Sequence, residues 1–119
     1  MKNRRIITVV AALLLLTSCT KDKVRVALDS NCMDTISFAQ QIKPMIDQNC
    51  STSGCHDANS QASGYNFTTH AAVAANASKI LQTISGGSGV VAMPLGGDML
   101  PDTLIQQFNC WSNQGKQNN

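Results

Sequence analysis

Apolar residues beyond position 35 fall into three stretches whose spacing predicts helices. In the first, Phe38, Ile42, Met45 and Ile46 recur at offsets of four, seven and eight, the stripe of an amphipathic helix. Pro44 lies within it, and proline is tolerated in a first helical turn, where no N–H is needed. The expected helix therefore runs over about 43–50, with 36–41 partly extended before it. The second stretch is Ala-rich and capped by Thr68 or Thr69. It passes a break near 76–78 and ends on Ile80, Leu81 and Ile84. The third, over about 101–113, sets Leu100, Leu104, Ile105, Phe108 and Trp111 on one face, with Gly115 just past its end. Between the stretches lie a loop over 57–67 whose only large side chains are Tyr65 and Phe67, and a glycine-rich loop. In the latter, five of the eight glycines flank residues 90–94, a composition expected where backbone passes close to a ligand. The pattern predicts an all-α fold of about three main helices.

Charge changes the picture at the N-terminus. Lys2, Arg4 and Arg5 precede an apolar run over 6–16 that is short for a bilayer span, the layout of an export signal. The run ends in Leu16-Thr17-Ser18-Cys19, which resembles the lipobox of bacterial lipoproteins. That resemblance implies cleavage before Cys19 and a lipid on its thiol. A single membrane anchor or a plain secretory peptide would also export the chain. The expected organisation is a signal peptide over 1–18, a lipid-anchored tether over 19–34 that is largely disordered up to Cys32, and one domain over 35–119. Loss of the leader removes three of nine Lys and Arg, leaving six against seven acidic residues, so no nucleic-acid partner is expected. Lys21, Lys23 and Arg25 beside the anchor suit lipid headgroups. The 101 residues from Cys19 onward hold three Phe, one Tyr and one Trp, a thin supply for a small core that a large apolar ligand would supplement.

The densest chemistry lies in Cys50-Ser-Thr-Ser-Gly-Cys55-His56. Two cysteines followed directly by histidine are what covalent haem attachment needs: the thiols add to the vinyl groups and the imidazole ligates iron. The usual spacer is two residues, and here it is four. In a regular helix the two thiols would point roughly 140° apart. The spacer is therefore expected to bulge as a loop, with Gly54 at positive φ. For a second axial ligand a soft thioether suits haem iron. Met93, in the glycine-rich loop, is the leading candidate, with Met99 and His70 as rivals. Met45 belongs to the apolar stripe and Met33 lies too near the tether.

The order of these elements resembles the short single-haem c-type cytochrome domains of bacterial lipoproteins and modular exported proteins. The matching features are the proline-bearing Ile42-Lys43-Pro44-Met45, the haem motif, Gly64-Tyr65, Met93-Pro94 and the Trp111 helix running on to Gly115 and Asn118. The match spans about 36–119 and departs in the widened spacer and in Cys110 beside the tryptophan. It implies the small all-α cytochrome c fold with one haem c held through Cys50 and Cys55. His56 would be the proximal and Met93 the distal ligand, facing each other across a cleft. Trp111 would either donate its indole N–H to a haem propionate or pack in the core.

The implied role is an electron carrier with no substrate of its own, meeting redox proteins transiently and facing the periplasm from its lipid anchor. With Cys19 on lipid and Cys50 and Cys55 on haem, Cys32 and Cys110 remain to pair. Two other readings stay open. One is a haem-free disulfide-stabilised lipoprotein in which Cys50 pairs with Cys55. The other is a haem sensor or peroxidase-like protein with an open sixth position, for which His70 is the one candidate distal base. A zinc site lacks an obvious fourth ligand.

Overall fold

Pro44 decides how the chain enters its first helix. The computed structural model describes residues 27–119, so the leader, Cys19 and the basic part of the tether lie outside the described residues. Helix α1 spans Lys43–Asn49, with Pro44 in its first turn. Just before it, Phe38–Ile42 form one π-turn in which the Lys43 N–H reaches back five residues to the Phe38 carbonyl. Residues 38–41 are therefore wound, not extended as the sequence suggested. Ser37 accepts from Gln40 N–H at the start of the turn. Asn119 adds two further acceptors: its Oδ1 takes Phe38 N–H at 2.9 Å and its carbonyl takes Ala39 N–H at 2.9 Å.

The central segment follows its pattern closely. Thr69 caps α2, His70–Ala75, by accepting from Ala72 N–H. Asn76 departs from helical geometry at φ −107°, and α3 follows at once over Ala77–Ile84. Helix α4, Asp102–Asn113, begins after Pro101, which cannot donate a backbone bond and is therefore suited to a helix start. These four helices contain all the α-helix among the described residues, and no strand occurs there, in agreement with the all-α expectation. None of the helices described is long and apolar enough to cross a membrane.

Helix α4 is the centre of the fold: α3 and the π-turn both pack on it. Trp111, Phe108, Ile105, Ile42, Ile46, Ile84 and Val73 are almost wholly buried. Each such side chain contributes roughly 1.5–3 kcal/mol of transfer free energy. The core is thus closed by side chains in spite of the small aromatic supply.

Residues 29–36 form a strap along α4. Gln106 both donates to the Asp29 carbonyl and accepts Asp29 N–H, and Asn109 donates to the same carbonyl at 2.8 Å. Gln114, just past the end of α4 and eight residues on from Gln106, repeats the arrangement, donating to Asp34 and accepting Ile36 N–H. The Cys32–Cys110 disulfide joins strap and helix across 78 residues of sequence. The pairing left over by cysteine counting is present. Order begins before Cys32, because amide side chains one helical turn apart satisfy the strap's backbone groups.

Candidate functional site

Both histidines sit among aromatic rings, but in different states. His70 packs edge-on against Phe38 at 4.7 Å and Trp111 at 5.9 Å, and its Nε2 bonds the Lys116 carbonyl at 2.8 Å. A carbonyl can only accept, so that nitrogen carries the proton and is engaged. His56 lies 4.8 Å from Phe67 and 6.0 Å from Tyr65, and these two rings also contact each other. Its Nδ1 is buried with no hydrogen-bond partner.

One other buried side-chain N or O atom among the described residues lacks a partner, and it is Ser51 Oγ. Both orphans therefore fall within the segment from Cys50 to His56. Leaving such a group unpaired costs about 1–3 kcal/mol, and both fall within this one seven-residue segment.

The backbone of this segment is tightly fixed. Helix α1 ends as Cys50 and Ser51 both donate to the Ile46 carbonyl. The chain then reverses through a turn closed by Cys55 N–H to the Thr52 carbonyl, with Gly54 at φ +84° in its third position. That is the left-handed conformation expected for the bulged spacer, and it favours glycine. His56 N–H returns to the Cys50 carbonyl at 3.0 Å. The Cys55 and His56 carbonyls accept from Ala62 and Phe67, so the motif is bonded to the chain on both sides.

Cys50 and Cys55 are both unpaired, the first buried at the end of α1 and the second exposed. Burial, and secondarily the neighbouring Cys55, pushes the Cys50 thiol up from 9.0 to about 11. It is therefore a protonated thiol at neutral pH.

Asp57 and Ser60, which the sequence reading passed over as loop residues, tie the turn together from outside. Asp57 Oδ1 accepts from Asn59 N–H at 3.0 Å and from Ser60 N–H. Ser60 Oγ in turn accepts Gly54 N–H at 2.9 Å. Hydrogen bonds, the largest contribution coming from the Ser60 backbone, hold the Asp57 carboxyl below the usual carboxylate range. The run Asp57-Ala-Asn-Ser carries an Asx-turn signature that was the available signal.

Met93 lies in the loop after α3. Its N–H bonds the Thr83 carbonyl on α3 at 3.1 Å, its side chain is half-buried against the core, and its bond to Pro94 is cis. The loop leaves α3 by a close approach at Gly87, whose N–H meets the Gln82 carbonyl and where a Cβ would lie 2.8 Å from that oxygen. No hydrogen bond links Met93 to His56. Met45 is buried in the core, as its place on the stripe implied, and Met33 is 93% exposed. Met99 is half-buried and reaches toward Gly86. Trp111 packs in the core, and its indole N–H goes to the Gln117 carbonyl at 2.9 Å.

No three His, Cys, Asp or Glu side chains converge to hold a metal ion among the described residues. The donor set of a structural zinc site is therefore not assembled there. A groove of about 720 Å³ runs along the strap, lined by Asp29, Cys32, Met33, Gln106 and Cys110, away from the cysteine–histidine turn. Comparison with protein-family models, with characterised proteins and with solved structures returned no match.

Proposed function

We propose that this chain is a single-haem c-type cytochrome that carries one electron between redox partners and is tethered to a bacterial membrane, facing the periplasm, through Cys19. Cys50 and Cys55 hold the haem c by thioether bonds, His56 is the proximal ligand and Met93 the distal one. When bound, the group supplies a one-electron couple, and His/Met ligation favours its ferrous form. The chain's part is to fix the two ligands, shield the site from water and leave an edge for transient contact with other redox proteins.

One observation carries the reading: His56, whose buried Nδ1 has no hydrogen-bond partner, stands directly after two unpaired thiols, in a turn bonded on both sides. The donor set suits the group. In an oxidising compartment the remaining cysteines pair, Cys32 with Cys110, while these two do not. Tyr65 and Phe67, the two aromatic side chains outside the Trp111 cluster, gather on His56 and offer an apolar wall.

A core closed by side chains favours the competing reading of a haem-free structural lipoprotein. The sensor or peroxidase-like reading needs His70 as a distal base, and that ring is bonded to Lys116. Oxidised and reduced visible spectra of the full chain, made in a host with a cytochrome c maturation system, separate these. Sharp reduced bands in the native protein, with colour that stays with the polypeptide after denaturation and acid-solvent extraction, support the cytochrome; a colourless protein supports the structural lipoprotein.

A further inference from the structure

A four-residue spacer leaves two more residues to order than the usual motif, and ordering chain opposes attachment entropically. Inside the turn, the bonds from Cys55 N–H to Thr52 and from His56 N–H to Cys50 fix the two ends. They leave the Gly54 N–H, at the apex, without a backbone acceptor. The Ser60 hydroxyl takes that bond at 2.9 Å, and Ser60 is itself turned back by Asp57, whose Oδ1 receives the Ser60 and Asn59 N–H groups. These bonds link Asp57, Ser60 and Gly54, the residues on either side of Cys55 and His56 in the chain.

We propose that Asp57 and Ser60 are positioning residues that hold the widened spacer in shape, so that the second thiol is presented together with His56 for double attachment of haem. The inference rests on the cytochrome reading above. In each attachment a thiol adds across a vinyl double bond. Sulfur bonds one vinyl carbon, the thiol hydrogen passes to the other, and nothing is oxidised or lost. Both additions must occur on one haem, so the second depends on where the first leaves the other sulfur, a matter of orientation. Without the lock, the product is a chain with one thioether and one free thiol.

The test uses the full chain co-expressed with a maturation system, as wild type, Asp57→Ala, Asp57→Asn, Ser60→Ala and Ser60→Thr. Thiols of haem-bearing chains are alkylated and counted by mass spectrometry. The reduced absorption band is read alongside, because an unreacted vinyl group stays conjugated and shifts it to longer wavelength. In the haem-free chain, hydrogen exchange at Gly54 reads the lock itself. Expected are fully substituted wild type, at least a tenfold rise in singly attached product for Asp57→Ala and Ser60→Ala, and recovery in Asp57→Asn and Ser60→Thr, which keep the accepting oxygens. Gly54 exchange should quicken about tenfold in both Asp57→Ala and Ser60→Ala and stay near wild type in Asp57→Asn and Ser60→Thr. Alanine variants that give less protein but wild-type thiol counts would reduce Asp57 and Ser60 to a structural role and overturn the proposal alone. A wild-type chain without covalent haem would overturn the cytochrome reading and this proposal with it.

Discussion

His70 and Lys116 are joined by a 2.8 Å hydrogen bond between the imidazole Nε2 and a backbone carbonyl. That bond, with the edge contacts to Phe38 and Trp111, gives His70 a structural task and separates it from His56, whose buried Nδ1 has no hydrogen-bond partner. His70→Ala removes one half-buried hydrogen bond and two ring contacts. It is expected to destabilise the fold by roughly 1–3 kcal/mol in urea denaturation. The axial ligation of haem-bearing protein should be unchanged by absorption spectroscopy.

Met93 and Met99 differ in how they are held. Met93 is fixed by its backbone bond to Thr83 and leans on the core, whereas Met99 borders the start of α4 and reaches toward Gly86. Met93→Ala in haem-bearing protein is expected to abolish the far-red ferric band of thioether-ligated iron. Met99→Ala should leave that band in place. Spectra of the two ferric variants check the assignment.

The strap along α4 is held by three amide side chains and one disulfide. A covalent closure across 78 residues removes roughly 4 kcal/mol of unfolded-state entropy at most. The Cys32→Ser, Cys110→Ser double variant should lose about 2–4 kcal/mol, measured as a lower urea midpoint. Adding reductant to wild type should lower it comparably.

Folding raises the Cys50 thiol from 9.0 to about 11, because burial and then the neighbouring Cys55 disfavour its thiolate. A group raised in the fold stabilises fully below its unfolded value, and that contribution disappears as pH climbs through the folded one. Haem-free protein should therefore lose about 2–3 kcal/mol between pH 9 and pH 11. Comparing the pH dependence of urea midpoints in wild type and Cys50→Ala isolates the part due to this thiol. Asp57 has the opposite sign: its carboxyl is held low, so its contribution is present at neutral pH and is lost as pH falls through the acid range.

Much of the fold was legible from local pattern. The Thr69 cap, the break at Asn76 and the start of α4 after Pro101 are written in residues a few positions apart. What escaped depends on partners distant in sequence. The π-turn at Phe38 draws acceptors from Asn119, 81 residues away, and the strap owes its order to amides on α4. The site divides in the same way. The residue types and the left-handed Gly54 followed from Cys50-Ser-Thr-Ser-Gly-Cys55-His56. The partners of Trp111 and His70 did not, since both are carbonyls in the segment after α4 that no side-chain pattern announces.

The central claim is that Cys50 and Cys55 carry haem, and a thiol count tests it most directly. Protein from a host competent in haem attachment is denatured, extracted with acidified organic solvent, alkylated without reduction and weighed intact. The account predicts that the colour stays with the polypeptide and that neither Cys50 nor Cys55 accepts the alkylating agent. A colourless chain in which both cysteines are alkylated, or are joined to each other, would contradict it.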